Sequence, residues 1–495
     1  MLDLMDELTE DGAPGGATLG IDPLRLAECL AVLAEADELP SDHPDVLTLR
    51  RATSRLYKGV RQRRRSERRK AITAADEAVT ARTATGSPER IDDETAGILL
   101  SPSAETPTVG TLLRPRSCYV CKARYTDVDA FYHQMCPECA ADNRRRRDIR
   151  VDLSGRRALL TGGRAKIGMY IALRLLRDGA HTTITTRFPA DAVRRFTAMP
   201  DSADWIDRLT VVGIDLRDPG QVAALADAVA DAGPLDILIN NAAQTVRRSR
   251  GAYANLIAAE SEALPGGRLP ELVSFGYVPG GGSPAELVAS LPHQRGNLSA
   301  TALTEAALVA GSATRARIEA GVAIDAGGLV PDLDASNSWL AKVDEVDPME
   351  LLEVQLCNAT APFILVSRLR PAMAAAAARR KYVVNVSAME GQFSRRYKGP
   401  GHPHTNMAKA ALNMLTRTSA AEMFETDGIL MTAVDTGWIT DERPHPTKMR
   451  LHEEGFHAPL DLVDGAARVY DPIVRGEAGE DLFGCFLKDF TPSPW

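Results

Sequence analysis

No run of about 18 apolar residues, the length a membrane-crossing helix needs, occurs in this chain of 495 residues. The opening stretch, Met1 to Glu7, lacks the basic flank and apolar core of a secretory signal, so export is not expected and a cytoplasmic setting is. Positive charge is not in excess either. The formal net charge of -8 argues against general binding to polyanions, although the sign is uneven along the chain. Cysteine is scarce, with seven in all, yet four of them fall within a short segment. What is present is the balance of a folded globular protein, 44% hydrophobic and 25% charged, in a chain long enough for two or three folded units.

Residues 1 to 20 are acidic and glycine-rich and read as disordered. From Asp22-Pro23 a helix is expected, with Leu24, Leu26, Cys29, Leu30, Val32 and Leu33 approximating one apolar face. A second helix, Asp45 to Ala81, turns strongly basic at Arg61, Arg63, Arg64, Arg65, Arg68, Arg69 and Lys70. Such a run reads first as a solvated face, and second as a surface for nucleic acid or an acidic partner. Residues 84 to 113, with Gly86, Pro88, Pro102 and Pro107, read as a linker, which makes 21 to 113 a helical region with its connection.

Two Cys-x-x-Cys pairs follow, Cys118/Cys121 and Cys136/Cys139, fourteen residues apart. Each pair can form a tight knuckle offering two thiolates, and a hairpin between them brings the four together. That pattern predicts a closed, structural zinc site in a ribbon-like module at 114 to 150. Four thiolates leave no open position, so a catalytic zinc is not expected. His133 reads as a surface or packing residue, and Cys29, Cys357 and Cys485, in apolar stretches, as core. Arg144 to Arg147, directly after the module, raise association with nucleic acid. The acidic remainder and the lack of interleaved aromatics argue against it.

From Val151 the pattern is that of a doubly wound α/β domain with a parallel sheet. The strand Arg157 to Leu160 runs into Thr161-Gly162-Gly163-Arg164-Ala165-Lys166-Ile167-Gly168 and then a helix, Tyr170 to Arg177. Strand, glycine turn and helix in that order set backbone N–H groups and a helix N-terminus against a phosphate. Further strands are expected at Thr182 to Thr186, Leu209 to Ile214, Leu235 to Ile239, Tyr382 to Val386 and Leu430 to Val434.

On these residues the chain resembles the short-chain dehydrogenase/reductase family across roughly 151 to 246 and 338 to 490. The family's glycine turn is matched by Thr161, Gly162 and Gly168, with Gly163, Arg164 and Ile167 between them and Lys166 in place of the middle glycine. The resemblance implies a Rossmann-like domain at 151 to 495 and NADP as cofactor, because Arg187 after the second strand is basic, with NAD the alternative. It places Asp215 and Leu216 beside the adenine, and Asn241, Ala242 and Ala243 at the family's Asn-Asn-Ala-Gly run. It sets Thr436, Gly437, Trp438 and Ile439 at the turn after the sixth strand.

Carry-over to the catalytic positions is incomplete. Lys409 matches the family's lysine, which holds the nicotinamide ribose, and Asn358 its helix asparagine. Thr405 stands where the proton-donating tyrosine belongs, and the catalytic serine aligns with Ala388, leaving Ser387 one residue early. An aliphatic hydroxyl cannot readily be tuned to give up a proton near neutrality, whereas Tyr397 or His404 could supply one. An insertion at about 247 to 337 leaves the end of the fourth strand and is expected over or beside the nicotinamide pocket, as a lid or partner-docking surface or as a low-complexity excursion. Arg247, Arg248 and Arg250 at its root face an anionic ligand or water.

Three functions stand open: an NADP(H)-dependent oxidoreductase for a small carbonyl or alcohol substrate with an unconventional proton donor, a catalytically silent dinucleotide-binding sensor or scaffold, and a nucleic-acid-associated protein. A protein partner at the insertion or the helical region, and the family's homo-oligomers, are further expectations.

Overall fold

The computed structural model describes residues 20–90, 107–249, 251–275, 325–439 and 442–495. The expected helical patches at 284–290 and 302–320, Arg250, and nearly all of the N-terminal segment 1–20 lie outside those residues. The chain divides into two compact units, Met1–Ala74 and Ala75–Trp495, the division falling within one long helix.

The first unit contains α1, Pro23–Asp37, and most of α2, Pro44–Thr80. Asp22 caps α1 by accepting the Leu24 and Arg25 amides, and Pro23 occupies the first turn, where a missing N–H costs nothing. No residue of α1 is buried, so its apolar face, Leu24, Leu26 and Leu30, lies open and Cys29 is exposed rather than core.

In the second unit the hairpin β1, Thr108–Ser117, with β2, Arg124–Asp129, leads to α3, Pro137–Arg147. Strand β1 begins inside the stretch expected to be a linker. Residues 84–90 are also structural: Thr85 and Arg90 are buried, and the Arg90 guanidinium donates to the carbonyls of Thr85, Ala458 and Leu460.

The main sheet is parallel over β3 to β10, with one antiparallel edge. Its strands are β3 Arg157–Leu160, β4 His181–Thr186, β5 Leu209–Gly213, β6 Ile237–Asn240, β7 Glu271–Ser274, β8 Lys381–Ser387, β9 Ile429–Asp435, β10 Phe486–Lys488 and β11 Thr491–Ser493, in the order β11-β10-β9-β8-β6-β3-β4-β5-β7. The central strands are continuous apolar runs because both faces are covered by helices. The chain order reverses between β3 and β6, which opens a crevice at their carboxyl ends. Pro348–Ala374 is long and apolar enough to cross a membrane by length and composition, but Val354, Leu365, Leu369 and Met373 bury its apolar side in the core beneath the sheet. The first described part of the insertion also adds β7 beyond β5, at the far edge of the sheet.

Candidate functional site

Strand β3 delivers Thr161 to the head of the glycine turn, and Thr161 Oγ1 accepts the amides of Asn241 and Ala242 at 3.0 Å each. The Asn241 amide returns the brace, donating to the carbonyls of Thr161 (3.0 Å) and Gly162 (3.1 Å). The turn is thereby tied to the end of β6. Gly162 has φ +70°, and a Cβ on Gly168 would overlap the Gly162 carbonyl oxygen, so both glycines are required by the close approach of helix and strand. Gly163 is similar, its absent Cβ leaving room for Ile184. Helix α4, Lys166–Arg177, starts a full turn before the expected Tyr170 and has no side-chain cap, so its first amides point at the crevice.

Lys166 stands where the family has its middle glycine, and it adopts φ +52°, the left-handed conformation a glycine would hold freely. Its side chain swings out to Asp325 of the insertion, with Nζ 3.0 Å from Oδ2. The backbone keeps the family's shape while the side chain ties the returning end of the insertion to the turn.

In front of the turn lies a cavity of about 400 Å³. Of the expected cofactor residues, Gly162, Arg164, Lys166, Ile167 and Gly168 line its floor, Arg187, Asp215 and Leu216 one end, and Asn241 to Ala243 the rim. Thr161 and Gly163 brace from behind. Lys409 and the turn Thr436-Gly437-Trp438-Ile439 are not part of this wall.

Six cations meet two carboxylates on the wall, giving a positive cavity: Arg164, Lys166, Arg187, Arg217, Arg247 and Arg248 against Asp215 and Glu442. Most of these cations are held by acids. Arg164 pairs with Asp191, Arg248 with Glu442, Arg247 with Asp347, and Arg217 Nε lies 3.0 Å from Asp215 Oδ1. Despite its burial, the Asp215 carboxyl is held below its usual range by the Arg217 and Arg187 guanidiniums. Arg187 forms no salt bridge among the described residues. It donates to the Tyr253 hydroxyl at 3.1 Å and lies over the Tyr253 ring, which stacks on Phe188.

The expected catalytic residues are not gathered on this wall. Asn358 sits in a π-turn, Leu356–Thr360, and its side chain clamps the Gln244 backbone, accepting the N–H at 2.7 Å and donating to the carbonyl at 2.9 Å. Ser387 Oγ donates to Asn413 Oδ1 (2.6 Å), and Thr405 Oγ1 to the His402 carbonyl (2.8 Å). Lys409 Nζ donates to the Val386 carbonyl (2.8 Å), and burial lowers its pKa to about 8. Tyr397 is 73% exposed on its loop. His404 is buried, with neither ring nitrogen hydrogen-bonded among the described residues and Nε2 3.7 Å from Glu350 Oε1. Glu350 lines a second, smaller cavity that shares Val246, Arg247, Arg248 and Leu329 with the first.

Sequence reasoning passed over several wall residues. Arg217 has a local signal, following Asp215 by two positions. Tyr253, Gly327 and Leu329 come from the insertion and have none. Cys357 lines the cavity while also packing on the core, and burial pushes its thiol up to about 11.

In the hairpin module the four sulfurs of Cys118, Cys121, Cys136 and Cys139 lie within 4.8 Å of one another. His133 is not among them. It is packed, bonded to Thr85 Oγ1 and Gln134 Nε2, and burial lowers its pKa to about 3. Arg144 to Arg147 are consumed internally: Arg144 by Asp129, Arg145 by Asp142, Arg146 by Asp142 and Asp471, and Arg147 by Asp461 and Asp464.

A parallel sheet with a glycine turn and a positive crevice at its switch point defines a Rossmann-like domain. A family model described as short chain dehydrogenase matches residues 156–259. An uncharacterized protein of Acanthamoeba polyphaga mimivirus is 30% identical over 377 residues, 73% of this chain and 72% of the viral one. L-xylulose reductase of Mesocricetus auratus is 36% identical over 93 residues, 19% of this chain and 34% of that enzyme. The solved structure of an NADPH-bound carbonyl reductase from chicken fatty liver, 17% identical, aligns with a TM-score of 0.41 over 70% of this chain and all (100%) of its own. Residues 156–259 are similar to the short-chain dehydrogenase/reductase family, in divergent form.

Proposed function

We propose that the chain binds NADP(H) and acts as an oxidoreductase on a carbonyl or alcohol substrate, with His404 rather than Tyr397 as proton donor. The observation that carries the cofactor reading is Arg187, a guanidinium outside any described salt bridge, facing the same cavity as the open N-terminus of α4. A basic group at that strand end suits a phosphate on the adenosine ribose and disfavours NAD. When bound, the cofactor would supply the hydride to a carbonyl or accept it from an alcohol. The glycine turn and α4 hold its diphosphate, and Asn358 fixes the cavity rim through Gln244. His404 is buried beside Glu350, which lines the second cavity, while Tyr397 stands in solvent. The four-cysteine module holds one structural zinc, since four thiolates complete a tetrahedron.

A second reading, a silent NADP(H) sensor, is favoured by Ser387 and Lys409, both turned to acceptors of the chain itself. Titration with NADPH, followed by tryptophan fluorescence, tests the shared claim, and absence of saturable binding at millimolar cofactor would remove both readings. Turnover over a carbonyl panel that is lost in His404→Ala and retained in Tyr397→Phe supports the first. Binding without turnover selects the second.

A further inference from the structure

The four-cysteine module touches the dinucleotide domain at several points, one of them the turn after β9. Tyr119 lies between Cys118 and Cys121, in the first knuckle, and its own amide donates to the Gln134 carbonyl of the connecting loop at 2.7 Å. Its hydroxyl accepts the Trp438 amide at 2.9 Å. Trp438 belongs to the turn after β9, where Gly437 has φ +79°, and a Cβ on Gly437 would come within 3.2 Å of the Tyr119 hydroxyl. The turn that the family uses at its cofactor is thus held from behind by a residue of the knuckle.

Two further ties run from the same module. Ile439 and Leu462 share one apolar cluster with Cys118, Tyr132 and Cys136, and Leu462 also lines the nucleotide cavity. Arg147, at the end of α3, pairs with Asp461 and Asp464, and the Tyr132 hydroxyl donates to Asp464 Oδ1 at 2.6 Å. Those acids cap the helix Leu462–Glu477, whose first residue is the cavity-lining leucine.

The sulfur geometry suits a metal. Tetrahedral zinc with bonds of about 2.3 Å sets its sulfurs roughly 3.8 Å apart. Here Cys121 Sγ and Cys136 Sγ are 3.7 Å apart, and the Cys136 amide donates to Cys118 Sγ at 3.3 Å. Without a cation, the four sulfurs lose the bonds that draw the two knuckles together, and only the hairpin and the apolar cluster hold them. The position of the Tyr119 hydroxyl depends on that shape.

We propose that zinc at Cys118, Cys121, Cys136 and Cys139 is coupled to the dinucleotide site, with Tyr119 as the positioning residue that transmits the metal's presence to the Thr436–Ile439 turn. Coupling of this kind is reciprocal, so zinc strengthens NADP(H) binding and NADP(H) slows loss of zinc. The inference rests on the NADP(H) reading.

The experiment uses the full chain purified without chelator and has three readouts: zinc per chain, hydrogen exchange of the Trp438 amide, and NADPH affinity. One zinc per chain is expected. Removing it by chelation, or by Cys121→Ser at the exposed ligand, is expected to raise Trp438 exchange and weaken NADPH binding by about fivefold or more. Tyr119→Phe is expected to keep the zinc while reproducing the faster Trp438 exchange and a severalfold loss of affinity, which a variant that merely unfolds the module would not do. Zinc near zero in the purified chain overturns the site. Full zinc with Trp438 exchange unchanged on chelation and in Tyr119→Phe overturns the coupling. If the zinc-loaded chain does not bind NADPH at all, the cofactor reading fails, and Trp438 exchange still decides whether the metal controls the turn.

Discussion

The glycine-turn side of the cavity and the helix Pro403–Asp427 follow opposite rules. On the first side the family pattern is kept by shape: Lys166 takes a left-handed backbone where a glycine is absent, and Gly168 leaves space that no other residue could. On the helix, positions that should present reactive groups present Thr405, bonded to the His402 carbonyl, and Lys409, bonded to that of Val386. Anion binding needs backbone amides and positive charge, which many sequences can supply. Proton transfer needs one functional group at one place, and a single substitution removes it.

The largest test of this contrast is Gly168→Val. Its side chain would collide with the Gly162 carbonyl, destabilising the turn by about 3 kcal/mol or more, and NADPH binding should vanish. Retention of wild-type affinity in a calorimetric titration would break the claim that shape governs this side.

Arg187→Ala should weaken NADPH binding by about 10- to 100-fold, equivalent to about 1.5–3 kcal/mol for a hydrogen bond to a charged group, while leaving NADH nearly unchanged. Equal losses for both cofactors would show that Arg187 does not read the extra phosphate.

Lys409 gives a pH test. Its folded pKa, about 8, lies below its ordinary 10.5, so between those values the unfolded chain binds the extra proton and stability must rise with pH. Below pH 8 the buried charge costs about 3 kcal/mol at most, relative to the neutral form. Urea midpoints measured across this window should climb in the native chain and flatten in Lys409→Met. A native profile without that rise would put the ammonium in solvent or on a counter-charge.

The smallest effect is expected for Lys166→Gly. Relief of about 1 kcal/mol of left-handed strain offsets loss of the partly exposed pair with Asp325. The urea midpoint should hardly move, whereas proteolysis near Asp325 should quicken if that pair anchors the insertion.

Much of the site could be read in the linear chain because its signals are local. The strand, glycine turn and helix from Arg157 to Arg177 lie in one continuous segment, and so do the two cysteine pairs. Helix α4 was misplaced at its start because the turn and helix share residues, so periodicity begins only after Gly168. The supposed linker failed for another reason: Thr85 and Arg90 are polar, and their burial depends on carbonyls as distant as Ala458 and Leu460.

The sequence by itself determined the doubly wound domain, the anion-facing turn, the basic residue at the end of β4 and the four-thiolate cluster. Each follows from residue type and spacing within a few tens of residues. Only the tertiary structure decided that the Arg144–Arg147 run is spent on internal acids, that Tyr253 stacks beneath Arg187, that His404 is buried beside Glu350, and that Tyr119 holds the Trp438 amide. Those outcomes join segments far apart in the chain, and charge pairing, stacking and burial are properties of which surfaces meet, which residue order alone does not encode locally.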